Sequence, residues 1–234
     1  MNFSNPPNLI LMQFPLLVTN FKTYPAATGE KALILAKIHE KVALETGCSI
    51  AIAVQTVDLR MIAEQVSIPV FAQHLDPFMP GQYTGFTLAE TLRDAHVVGT
   101  LINHAEHQIS DELIAEAIVR AKECGLFILM CAQEHNEAKR LSKFQPHAIA
   151  VEPPELIGGD ISVSTANPEL ISHAVREVPK EIPVLVGAGV KRRDDVEVAI
   201  ARGAQGVLVA SGVVKSDDPE AVLRDLVAGF LKRA

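Results

Sequence analysis

Ala148-Ile149-Ala150-Val151-Glu152-Pro153-Pro154-Glu155-Leu156-Ile157-Gly158-Gly159 is the stretch on which the fold turns. Its first four residues are apolar without alternation, the pattern of a strand buried on both faces, as in a parallel sheet covered by helices. A carboxylate follows at once, held against two prolines. The prolines stiffen one end of the following loop and the paired glycines free its tip, which suits a closing lid. An ordinary connection does not account for the apolar pair Leu156-Ile157 at that tip.

Similar apolar runs flank this one on both sides, near residues 14–18, 49–54, 69–72, 97–102, 126–131, 183–186 and 206–210. Amphipathic segments of helical length lie between them. Residues 31–44 carry Ala32, Leu35, Ala36, Ile38 and Val42 at helical spacing. Ser110 caps a helix over 113–124 that Gly125 stops, and a last helix is expected over 219–231. Strands alternating with helices in one uninterrupted chain of 234 residues predict a single-domain α/β protein, a (β/α)8 barrel over residues 14–234. Residues 1–13 read as an N-terminal tail; with no basic residue before Lys22 and no small-x-small site, its apolar part is not read as a secretion signal.

Composition narrows the function. Hydrophobic residues make up 48% and charged residues 21%, with a net charge of −7. The densest basic cluster is Lys191-Arg192-Arg193, too small for a nucleic-acid surface. An anionic ligand must then be held by a local site against the global field. No run is long enough to span a bilayer. Cys48, Cys124 and Cys131 lie far apart without metal-ligand spacing, which points to a reducing cytoplasmic setting, no disulfides and no metal.

In a (β/α)8 barrel the chemistry sits on the loops leaving the C-terminal strand ends. The first carries Asn20-Phe21-Lys22-Thr23-Tyr24 and the fourth Asn103-His104-Ala105-Glu106-His107. The sixth carries Glu152. Gly187-Ala188-Gly189 follows the seventh strand and Ala210-Ser211-Gly212 the eighth, small residues that let backbone N–H groups approach a bound anion. Taken singly, each could be an ordinary loop residue or glycine turn. A lysine, a histidine, a glutamate and a phosphate cradle at one mouth suit proton abstraction beside a carbonyl on a phosphorylated substrate.

These motifs, in this order from about Leu17 to the C-terminus, resemble the triosephosphate isomerase family in its compact, archaeal-like form. The resemblance implies a cofactor-free and metal-free aldose–ketose isomerase of glycolysis and gluconeogenesis acting on a small phosphorylated triose. Carried over, Glu152 is the base, His104 the neutral electrophile, Lys22 the fixed positive charge and Asn20 the residue that orients substrate. Glu106 supports the histidine, and backbone N–H groups of Gly158, Gly189, Ala210 and Ser211 bind phosphate. Gln73-His74-Leu75-Asp76, leading to Gly81-Gln82-Tyr83-Thr84-Gly85, matches the family's third loop, which reaches into a neighbouring subunit. A homodimer or homotetramer is implied, with Tyr83 and Thr84 at its interface.

Two departures stand out. Ala105 replaces the usual serine after the histidine, and the lid tip reads Gly158-Gly159-Asp160 where Gly-Thr-Gly is common. An aspartate near the phosphate predicts weakened substrate affinity, and glycine in place of threonine makes closure entropically harder. The competing readings are a phosphoribosyl isomerase, which needs a different acid–base pair, and a Schiff-base aldolase, whose lysine would stand where this chain has Glu152. A non-catalytic or weakened phosphate-binding βα barrel is the reading from another class, favoured by the altered lid and the tail.

Overall fold

The computed structural model describes residues 12–159 and 162–230. Eight parallel strands close into a barrel: β1 (Leu16–Asn20), β2 (Ser49–Val54), β3 (Val70–Ala72), β4 (Gly99–Ile102), β5 (Phe127–Ala132), β6 (Ala148–Val151), β7 (Val184–Gly187) and β8 (Gly206–Val209). Each pairs with the next, and β8 returns to β1 in the register Leu16↔Gly206 to Thr19↔Val209. Closure is tight at that seam. A Cβ on Gly206 would sit 2.1 Å from the Leu16 carbonyl oxygen, so no other residue fits there without moving β1.

Alternation along each strand sorts side chains into two apolar layers. Leu16, Val18, Ala51, Ala53, Leu101 and Leu129 fill the barrel interior with residues from the other strands, while Leu17, Ile50, Ile52, Ile102 and Ile128 pack outward under the helices. The covering helices include α1 (Glu30–Thr46), α2 (Leu59–Ala63), α3 (Ala89–Asp94), α4 (Asp111–Glu123), α5 (His135–Ser142), α6 (Val163–Ala166), α7 (Pro168–Glu177), α8 (Arg193–Ala201), α9 (Ser211–Val214) and α10 (Pro219–Ala228). Gly47 closes α1 in the left-handed conformation, and Ser110 caps α4 by accepting the Leu113 N–H at 3.4 Å. No helix among the described residues is long and apolar enough to cross a membrane.

The barrel is the one the sequence predicts, with its first strand displaced. Residues 14–18 were the expected run, but β1 covers Leu16–Asn20. Pro15 has no N–H for the ladder, which starts with the Leu16 N–H donating to Gln205 O at 3.1 Å. Thr19 and Asn20 are buried polar residues that continue the strand because partners meet them inside. The Thr19 hydroxyl donates to His39 Nε2 of α1 at 2.9 Å, and His39 Nδ1 donates to Leu35 O at 2.8 Å. Most of the expected tail, lid residue Asp160 and Leu231 of the expected last helix lie outside the described residues.

Candidate active site

Side-chain parity carries the site. On β6, Ala148 and Ala150 point into the barrel, and Glu152 continues that inward register just past the strand end. Its N–H donates to Ala132 O at 2.8 Å, which fixes the backbone. The neighbouring strand makes room for the side chain. A Cβ on Gly187 would come within 2.5 Å of Glu152 Cγ and Oε1, so the carboxylate occupies the space a larger residue would fill. Glu152 is buried and its Oε2 has no hydrogen-bond partner. Burial pushes its pKa up from 4.5 to about 7, against the pull of Lys22 and with a smaller push from Glu106.

His104 leaves β4 behind Asn103, whose φ of +63° turns the chain sharply. The Asn103 amide donates to Cys131 O at 3.2 Å and its Oδ1 accepts the Ile109 N–H at 3.4 Å, so the turn is tied at both ends. The Glu106 N–H donates to His104 Nδ1 at 3.1 Å. An accepting Nδ1 places the ring proton on Nε2. Burial first, and then Lys22, lower the pKa of His104 to about 4, with Glu106 opposing. Nε2 lies 3.5 Å from Glu152 Oε2.

Lys22 adopts a left-handed φ of +48°, an uncommon conformation for a residue with a side chain. Local hydrogen bonds hold it there. Its N–H donates to Asn20 Oδ1 at 3.0 Å, while the Gln73 amide donates to Lys22 O at 2.9 Å and to Asn20 Oδ1 at 3.2 Å. Lys22 Nζ sits 2.7 Å from Glu106 Oε1. Glu106 thus meets the histidine through its backbone N–H and, at 3.7 Å from Nδ1, through Oε2, while its Oε1 meets the lysine.

All of the expected catalytic and phosphate-binding residues meet around one cavity: Asn20, Lys22, His104, Glu152, Gly158, Gly189, Ala210 and Ser211. Tyr24 and Lys191 line it too, which the sequence reading left unassigned, and Gly187 escaped notice as the residue that accommodates Glu152. Tyr83 and Thr84 lie elsewhere, exposed on the loop between β3 and α3. Among the described residues no group of His, Cys, Asp and Glu side chains could hold a metal ion.

A family model described as triosephosphate isomerase matches residues 15–228, almost the whole barrel. The chain belongs to the triosephosphate isomerase family. Triosephosphate isomerases of Methanocaldococcus jannaschii and Methanobrevibacter smithii are 47% and 42% identical to it, over 91% and 93% of this chain and 98% and 99% of their own lengths. Among solved structures, triosephosphate isomerase from Bartonella henselae matches with a TM-score of 0.74 over 92% of this chain and 98% of that one. At 17% identity that likeness bears on the fold alone. The archaeal triosephosphate isomerases agree with the compact form that the motifs suggest.

Proposed function

We propose that this chain interconverts D-glyceraldehyde 3-phosphate and dihydroxyacetone phosphate through an enediolate, without cofactor or metal. One observation carries the reading: a buried carboxylate with a pKa near 7 stands 3.5 Å from the Nε2 of a histidine held neutral. The family is itself a standard example of this acid–base pairing, so the roles follow that pattern, placed on these residues.

The Glu152 carboxylate takes the proton from C2 of the aldehyde, and the C–H electron pair forms the C1=C2 bond of the enediolate. The His104 Nε2–H donates to O1, delivers its proton there and takes the O2 proton in exchange. Glu152 then returns its proton to C1, leaving a ketone at C2. Lys22 offsets the charge that develops on the oxygens, and Asn20 holds the loop that presents it. Backbone N–H groups of Gly158, Gly189, Ala210 and Ser211 bind the phosphate. Closure of the loop after Glu152 over bound substrate excludes water from the enediolate.

A coupled assay of glyceraldehyde 3-phosphate turnover, with Glu152→Gln as control, tests this. Activity that vanishes in the variant supports the reaction and its base. No turnover by folded wild type would favour the non-catalytic barrel, for which the altered lid is the sequence argument.

Assembly as a homodimer or homotetramer is part of the same proposal. On the loop holding Tyr83 and Thr84, Phe78 stacks on Tyr83 at 4.3 Å between centroids and meets Phe86 edge-on at 4.8 Å. Met79 is 63% exposed beside them. Such an apolar, self-packed tip suits burial against a second subunit. Monomers by sedimentation at micromolar concentration would contradict it. All three cysteines are free thiols, which supports a cytoplasmic setting.

A further inference from the structure

The basic cluster Lys191-Arg192-Arg193 is divided by the structure. Arg193 Nε pairs with Glu197 at 2.6 Å along α8, and Arg192 is exposed. Of the three, only Lys191 lines the catalytic cavity, beside Gly158, Gly189, Ser211 and Gly212. We propose that Lys191 is a phosphate-binding cation of this site, adding a charged side chain to the backbone N–H groups of the surrounding loops. The inference rests on the isomerase reading for the identity of its anion and adds a side chain to the backbone cradle.

Three observations support it. The backbone is placed rigidly: the N–H groups of Lys191 and Arg192 both donate to Asp195 Oδ2, at 3.0 and 3.1 Å, and Asp195 is buried. Left-handed Ala188 and Gly189, at φ +71° and +72°, turn the chain so that the residues after β7 return along the cavity wall. The side chain also has a track. A Cβ on Gly212 would lie 3.0 Å from Lys191 Cγ, so the aliphatic stem runs across that glycine, between the loops after β7 and β8.

Charge explains why a cation is useful there. The chain carries −7 overall and repels a dianion at long range. Lys22, the other lysine of the cavity, has its ammonium 2.7 Å from the Glu106 carboxylate. A second lysine on the wall that also carries Gly189 and Ser211 replaces hydration that a dianion loses on entering the site.

The test compares glyceraldehyde 3-phosphate with glyceraldehyde, which has the same reacting carbons and no phosphate. Lys191→Met keeps the stem and removes the charge. Lys180→Met, at an exposed position preceding β7, controls for the change in net charge. Lys191→Met is expected to lower kcat/KM for the phosphorylated substrate by about 10- to 100-fold, mostly through KM. Glyceraldehyde turnover should fall far less than turnover of the phosphorylated substrate, and Lys191→Arg should recover most of the loss. Equal losses on both substrates, or no more effect than Lys180→Met, would overturn the proposal. If wild type fails to isomerise either substrate, the isomerase reading fails. Calorimetric titration of inorganic phosphate then decides the lysine's role: weaker binding by Lys191→Met supports it, and equal affinities overturn it.

Discussion

Gly187 and Glu152 share one space across β6 and β7, because a Cβ on Gly187 would sit 2.5 Å from Glu152 Oε1. The register pairs Val151 with Val186, so these are the next residues along the two strands, side by side at the mouth. Replacing Gly187 by alanine should push the carboxylate off its line while leaving the barrel folded. A misplacement near 1 Å costs about 10²-fold in rate. Measured kcat for Gly187→Ala, with thermal unfolding as the folding control, checks this; an unchanged kcat would show that the added methyl leaves the carboxylate in place.

The raised pKa of Glu152, about 7, predicts a pH limb and a stability effect of opposite sense. Only the ionised base abstracts a proton, so kcat/KM should fall about tenfold per pH unit below 7. Glyceraldehyde is the substrate to use, since it has no phosphate to titrate. For stability, the folded state keeps a proton that the unfolded chain releases near 4.5. The stabilising contribution is full below 4.5 and disappears as pH rises through 7. Glu152→Gln should then gain roughly 1–3 kcal/mol over wild type near pH 8 and lose that advantage below pH 4.5. Denaturant unfolding at both pH values gives the comparison, and an advantage that stays constant with pH would refute it.

His104 should remain neutral from about pH 5 upward, since its pKa is held near 4 and its Nδ1 accepts the Glu106 N–H. Nitrogen-15 NMR of the imidazole reads both statements. The expected spectrum shows a proton on Nε2 at pH 6, and an imidazolium there would exclude the electrophile role. His104→Gln should reduce kcat on the order of 10²–10³-fold.

The barrel was legible because strands buried on both faces leave unbroken apolar runs, and a charged residue directly after such a run stands out. Glu152 and His104 could be found that way. The displaced first strand could not. Thr19 and Asn20 look like a loop until His39 and Gln73, distant in sequence, satisfy them. Gly187 was hidden for a related reason: within Gly187-Ala188-Gly189 the first glycine makes room for a side chain on another strand, while Ala188 and Gly189 line the cavity. Lys191 was obscured by two neighbouring arginines, with which it read only as a small basic cluster.

His39 offers a second stability test away from the mouth. Fully buried and bonded to Thr19 and Leu35, it is held neutral by burial with a pKa of about 4. The unfolded chain protonates it near 6.5, so its contribution is present above 6.5 and is lost as pH falls toward 4, at up to about 1.4 kcal/mol per pH unit. His39→Gln should be less stable than wild type at pH 7 and lose less on acidification. Urea midpoints at about pH 7 and 4.5 would contradict this if the two proteins lost stability in parallel.

The claim that Glu152 removes the carbon-bound proton is tested most directly by shortening it. Glu152→Asp keeps the charge and withdraws the carboxylate by one methylene, so steady-state turnover of glyceraldehyde 3-phosphate should fall on the order of 10²–10³-fold with KM little changed. Turnover within a few-fold of wild type would mean that another group takes the proton.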